Sequence, residues 1–191
     1  MKKAPYLGKI KLFWHKDYNI PLIGKKEKEN VYEVNLTPPG DVRPAFKKDI
    51  HLIKKSVDKL INGASSFFNY PILINNIPEL DKMDEVITDG FIVGKIRFNS
   101  DSWDFDFFPS QSGAKVLLGF ILNKYNNPDK AIKRTRHVIV DSSAAEKIAM
   151  GKNILAPGII YSTEFKKGDY VYLNESKHYI YLWIFSFTKF K

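Results

Sequence analysis

Two early runs of the chain, 7–14 and 31–36, are strand-like, with apolar residues on every second position at Ile10, Leu12 and Trp14 and at Val34 and Leu36, and a polar, charged connection at 24–30 separates them. A period of two is the pattern of a half-buried strand, so a small β unit is expected at the N-terminal end. The spacing then changes. After the turn Pro38-Pro39-Gly40, the residues Phe46, Ile50, Ile53, Val57, Leu60 and Ile61 recur at helical intervals over 45–61, and Gly63 stands where a C′ glycine would close the helix. The other face of this helix carries Lys47, Lys48, Lys54, Lys55 and Lys59. That is the composition of a solvated face, and it could also supply a secondary contact to phosphate.

Extended segments follow at 70–75, 85–88 and 91–98, and Asp89-Gly90 is the strongest hairpin signal in the chain. Trp103, Phe105 and Phe107 then alternate with Asp104, Asp106 and Phe108, which places the first three on one strand face and both aspartates on the other. Paired carboxylates can share acid–base work. No nucleophile or metal ligand accompanies these two, so they read as surface groups. A helix is expected at 114–125, stopped by Asn126-Asn127-Pro128, and the densest basic run follows with Lys130, Lys133, Arg134, Arg136 and His137.

The last segment opens with a short strand at 137–140. Ser143 and Glu146 have the spacing of a capping box, which starts a helix that Gly151 would end. Pro157-Gly158 redirects the chain into a strand at 159–162, Lys167-Gly168-Asp169 turns it into another at 170–173, and the alternating 179–187 segment closes the sheet. Short strands around one helix imply a small barrel. The fold class expected for the whole chain is α+β.

Composition narrows the chemistry. At 191 residues and 44% hydrophobic content the chain can bury a real core, so it should fold. Lys and Arg exceed Asp and Glu by 30 to 21, a formal charge of +9 that attracts phosphate backbones or anionic lipid. There is no cysteine, which excludes disulfides, thiolate metal sites and a cysteine nucleophile. The N-terminal residues lack an apolar signal segment, and the longest apolar run, 179–187, falls well short of the ~20 residues a membrane-spanning helix needs. A cytoplasmic protein without a membrane partner is expected. No phosphate-binding glycine loop and no H-E-x-x-H helix occurs, and His15, His51, His137 and His178 are widely separated. No catalytic residue, metal ligand or cofactor is therefore assigned, and the chain is expected not to be an enzyme.

Over roughly 136–187 the succession of strand, D-S-S-A-A-E-K-I helix, G-K-N-I-L-A-P-G-I loop and F-K-K-G-D-Y-V turn resembles the PUA domain, a small pseudo-barrel that holds structured RNA. In that family the short helix, the loop after it and the last strand face the RNA. The resemblance thus implicates Lys147, Lys152, Asn153, Leu155 and Ala156, and the neighbouring cations Lys133, Arg134, Arg136, Lys166 and Lys167 join them as expected RNA contacts.

Upstream, the segments 14–22, 37–45 and 77–86 resemble the N-terminal region of archaeal phosphoadenosine phosphosulfate reductase-like proteins, which also carry a PUA domain. Those relatives begin with a zinc ribbon built on paired C-x-x-C knuckles and continue past the PUA domain into a nucleotide-binding domain. Here the first knuckle would fall on His15 and Tyr18 and the second within 25–30, so the ribbon is expected as a metal-free remnant, and the nucleotide domain is expected to be missing. The resemblance implies three parts: 1–64, a degenerate ribbon-like β unit plus helix; 65–130, an α/β region; and 131–191, a PUA-like RNA-binding pseudo-β-barrel. Its implied function is noncatalytic binding of structured RNA, ribosomal RNA or the ribosome in an archaeon, or else service as the RNA-recognition subunit of a tRNA or rRNA modification enzyme with a separate catalytic partner.

Overall fold

The first alternating run becomes the middle strand of a sheet. The computed structural model describes residues 11–24, 29–38, 40–77, 83–126, 130, 136–150, 152–165, 170–175 and 183–186. It divides the chain into two units, Met1–Leu117 and Leu118–Lys191. In the first unit, β1 (Leu12–His15) pairs antiparallel with β2 (Ile20–Ile23) on one side and β3 (Val31–Val34) on the other. Every residue of β1 is buried, and Leu12, Trp14 and Val34 pack against Leu73 and Ile87 from the next sheet. Positions 7–10 of the expected strand lie outside the described residues.

That next sheet has five strands, β4 (Asp41–Pro44), β5 (Leu73–Ile77), β6 (Met83–Thr88), β7 (Phe91–Asn99) and β8 (Asp104–Pro109), in sequential antiparallel order. Helix α1 (Lys47–Leu60) is inserted between β4 and β5 and buries Ile53 and Val57 of its apolar spacing, whereas Phe46, expected on the same face, is the N-cap residue and stays exposed. At its start the Asp49 carboxylate accepts from the Phe46 backbone N–H at 2.9 Å and pairs with Arg43 at 2.6 Å. The helix end departs from expectation. Ile61 is the extended C-cap, so Gly63 lies two residues beyond it, with φ +85° at the head of the 3-10 turn Ala64–Phe67. The Asp58 carboxylate fixes this exit by accepting from the backbone N–H and hydroxyl of Ser65, both at 2.9 Å.

The Asp89-Gly90 hairpin joins β6 to β7 with φ of +50° and +78°, the two left-handed positions of a type I′ turn. The turn is also a docking point. Asp89 accepts from Asn19 Nδ2 at 3.0 Å and from Asn69 Nδ2 at 3.2 Å, while its backbone carbonyl accepts from the Tyr32 hydroxyl at 2.9 Å. Trp103 departs from the alternation expected of it. It sits in the β7–β8 connection at φ +51° and 85% exposed, leaving Phe107 as the ring buried in the core. The tight connection requires a left-handed residue there, so β8 begins one residue later, at Asp104.

Helix α2 (Gln111–Tyr125) starts three residues earlier than its apolar spacing suggests. Ser110 caps it: its hydroxyl accepts from the Gly113 N–H at 3.1 Å and donates to the Ile92 carbonyl, and its own N–H reaches the Val93 carbonyl at 3.0 Å. In the second unit, β9 (His137–Val140), β10 (Ile159–Ser162), β11 (Tyr170–Glu175) and β12 (Trp183–Ser186) form a sheet ordered β10-β9-β11-β12, with β9 and β11 parallel. Val138, Val140, Val171 and Leu173 point to one face and bury Ala144 and Ile148 of α3 (Ser142–Ala149). The described architecture is thus a mixture of helices and sheets. The expected turn at 167–169 lies outside the described residues.

Candidate nucleic-acid interface

Helix α3 is capped by Asp141, not by the expected Ser143. The Asp141 carboxylate accepts from the Ala144 N–H at 2.7 Å and its carbonyl from the Ala145 N–H at 2.9 Å, so the helix begins at Ser142 and Ser143 falls inside the first turn. An aspartate is as good a cap as a serine and also favours the positive end of the helix dipole. At the other end the Lys152 N–H donates to the Lys147 carbonyl at 2.9 Å, the long-range bond of a Schellman closure. This backbone bond ties the two expected RNA-contacting lysines together at the C-terminal end of α3. Gly151, expected to supply the left-handed residue between them, lies outside the described residues.

Beyond Lys152 the chain returns along the same helix. The 3-10 turn Ala156–Gly158 brings Gly158 so close that a Cβ there would sit 2.6 Å from the Ala144 Cβ, and the Asp141 N–H donates to the Gly158 carbonyl at 3.0 Å. Helix and loop line a half-open cavity of about 180 Å³. Its polar groups come from Asp141, Ser143, Lys147 and Asn153, and its apolar wall from residues including Leu155 and Pro157. Such a wall can receive a flat ring while the amide, hydroxyl and ammonium meet its polar edge.

Of the expected contacts, Lys147, Asn153 and Leu155 line this cavity, and Lys152 and Ala156 are exposed beside it in the chain. Arg136 is exposed just before β9, where its carbonyl accepts from the Tyr172 N–H at 2.8 Å. It is not among the cavity's lining residues. Lys133, Arg134, Lys166 and Lys167 lie outside the described residues. Sequence reasoning missed Asp141 and Ser143 as lining groups, although an aspartate directly before the helix was a legible cap signal. It also missed the exposed apolar side chains Met150 and Ile160, for which the sequence carries no signal.

On the opposite face of the β9/β11 pair, His137 stacks on Tyr172 at 5.4 Å and its Nε2 lies 2.9 Å from Asn174 Nδ2. Burial pushes the His137 imidazole down to about 4, against a weaker upward push from the Asn174 hydrogen bond, and burial raises the Tyr172 phenol. The fold therefore favours neutral histidine, and the unfolded chain takes up the proton first as pH falls. This contribution to stability is fully present above about pH 6.5 and is lost progressively down through pH 4. The urea midpoint should fall between pH 7 and pH 4.5, and the fall should be smaller in His137→Gln, which has no proton to take up.

In the first unit His15 is buried with its ring 4.6 Å from that of Tyr18. Among the described residues no group of three His, Cys, Asp or Glu side chains could hold a metal ion. Both carboxylates of β8 have partners: Asp104 meets Lys59 at 2.7 Å and Lys55 at 3.0 Å on α1, and Asp106 accepts from Asn99 Nδ2 of β7 at 2.7 Å and lies 3.8 Å from Lys59. No described helix is long and apolar enough to cross a membrane.

Residues 136–179 match the family model of the PUA domain, which covers β9, α3, the loop and β11. Across 176 residues the chain is 30% identical to an uncharacterized protein of Methanocaldococcus jannaschii; the match takes in 90% of this chain and 35% of that protein, so the chain spans about a third of its relative's length. Two solved structures are similar. A hypothetical protein of Pyrococcus horikoshii aligns with a TM-score of 0.47 at 25% identity, over 71% of this chain and 75% of its own. A PUA domain of Aeropyrum pernix, solved as a tartrate complex, aligns with a TM-score of 0.45 at 17% identity, over 71% and 66%.

Proposed function

We propose that this chain is a noncatalytic binder of structured RNA, ribosomal RNA or the ribosome in an archaeal cytoplasm, and that it holds RNA over α3 and the loop that follows. The observation that carries this reading is the coincidence of the PUA match with the cavity: residues 136–179 include Lys147 and Lys152, joined by a backbone hydrogen bond, and Asn153, which lines the cavity with Lys147. Cations would position phosphates, and the amide would address a base edge or a 2′-hydroxyl. The net charge of +9 adds a long-range attraction for the same ligand.

A second reading makes the chain the RNA-recognition part of a tRNA or rRNA modification enzyme with sulfur or adenylyl chemistry. It is favoured by the length of the Methanocaldococcus relative, in which the matched region is 35% of the protein, and by the reductase-like resemblance of 14–22, 37–45 and 77–86. Purification of the tagged protein from its own organism, with sequencing of bound RNA and a ribosome sedimentation profile, separates the two. Co-sedimentation with ribosomal particles is the expected result. A stoichiometric catalytic partner on tRNA instead would favour the second reading, and recovery of no RNA would defeat both.

The loop's role is tested by Asn153→Ala. Its exposed position means that folding should be unaffected. Affinity for the recovered RNA should drop about five- to tenfold, and affinity for a generic duplex much less, because only the cognate pose leaves a polar partner unpaired. Equal losses on both RNAs in a filter-binding assay would make the loop a mere connector.

A further inference from the structure

Helix α1 sorts its lysines into two groups. Lys55 and Lys59 reach Asp104 at 3.0 and 2.7 Å, and Lys59 also approaches Asp106 at 3.8 Å, so these two are paired with carboxylates of β8 at the surface. Lys47, Lys48 and Lys54 make no ion pair with a described residue. On a helix of 3.6 residues per turn, Lys47, His51 and Lys54 fall in one narrow stripe and Lys48 stands beside it. Two exposed rings accompany the stripe. Tyr70, 59% exposed, lies under the Lys54 ammonium at 5.5 Å, and Phe46, 66% exposed, lies under the Arg43 guanidinium at 5.1 Å. Arg43 is itself bound to Asp49 and is near Asp41 and Asp84, so it orients the ring and offers no spare charge.

We propose that this face of the first unit is a second nucleic-acid contact, one that takes a single-stranded RNA segment. Unpaired cations call for an anionic polymer. Exposed rings beside them call for a polymer whose flat groups are free to stack, which a duplex does not offer and an unpaired strand does. Lys47, Lys48 and Lys54 would meet successive phosphates, with bases stacking on Tyr70 and Phe46. The surface lies entirely within Met1–Leu117 and involves no residue of the PUA match.

The test uses the full chain and a fluorescein-labelled twelve-nucleotide oligouridylate, read by anisotropy at 0.1 M salt. The triple variant Lys47→Glu/Lys48→Glu/Lys54→Glu should lose about tenfold or more in affinity, and Tyr70→Ala about fivefold or more. Lys47, Lys48 and Tyr70 are exposed and Lys54 is half-buried against the Tyr70 ring. The double variant Lys47→Glu/Lys48→Glu, which should melt with the parent and still lose severalfold in affinity, therefore separates a lost contact from a lost fold. Lys115→Glu, at an exposed cation of the same unit that belongs to neither surface, should leave oligouridylate binding close to the parent value. Unchanged binding in both the triple variant and Tyr70→Ala overturns the proposal. So does competition by a twelve-residue polyglutamate as effective as that by unlabelled oligouridylate, because then charge alone, and no base stacking, is being recognised.

Discussion

Reversing Arg136, Lys147 and Lys152 together to glutamate is expected to lower affinity for structured RNA by about 100-fold at 0.1 M salt, the largest functional effect anticipated in this protein. All three residues are exposed, so the variant should still fold, which its melting curve checks. The loss should be electrostatic in kind. The parent's log–log salt slope should shrink by roughly 0.7 to 0.9 for each phosphate contact removed, and the affinities of parent and variant should converge at high salt. An unchanged slope, measured by titration between 50 and 300 mM salt, would mean that these cations do not face RNA.

Gly113→Ala should give the largest loss of stability, about 3 kcal/mol or more, which is roughly 10 °C in melting temperature for a chain of this size. A Cβ at this position would lie 1.7 Å from the Val93 carbonyl oxygen and 2.7 Å from its carbon. These are backbone atoms of β7 and cannot rotate away. The start of α2 would have to lift off the strand, taking with it the Ser110 N–H bond to Val93 and the Ser110 hydroxyl bond to Ile92. The better helix propensity of alanine returns only about 1 kcal/mol. Gly119→Ala is the control: a Cβ there meets nothing within 4 Å, so it should be neutral or stabilise by up to about 1 kcal/mol. Equal melting temperatures for the two variants would refute the close approach of α2 to β7.

The same close approach explains why the start of α2 was misplaced by the sequence. Its apolar spacing marks Ala114, Leu117 and Ile121, which are indeed buried, but the cap at Ser110 is fixed by carbonyls of a strand some 17 residues earlier. Local composition holds no trace of that partner. The capping of α3 was misread for the opposite reason. Ser143 and Glu146 form a legitimate capping pattern, and Asp141 forms a competing one; the aspartate wins because its N–H is also held by the Gly158 carbonyl. Trp103 kept the alternation of β8 in sequence and lost it in space, since the hairpin connection needed a left-handed residue there.

What the sequence determined by itself is what short-range physics controls. The period of two and the period of 3.6 located β1, β3, α1, β9 and β11, Asp89-Gly90 set its own hairpin, and the order of strand, helix, loop and turn over roughly 136–187 carried the PUA resemblance, of which 136–179 match the family model. Tertiary structure decided which polar groups became partners. Of five lysines with the same propensity on α1, Lys55 and Lys59 are paired with Asp104 and, for Lys59, Asp106, about fifty residues away in sequence, while Lys47, Lys48 and Lys54 form no ion pair with a described residue. Asp141 and Asn153, twelve positions apart, line one cavity because the loop folds back on α3 at Gly158. A charge's energy depends on the distance to its partner and on the water between them. Periodicity along the chain encodes neither, so the elements could be read before the fold was known and the pairings could not.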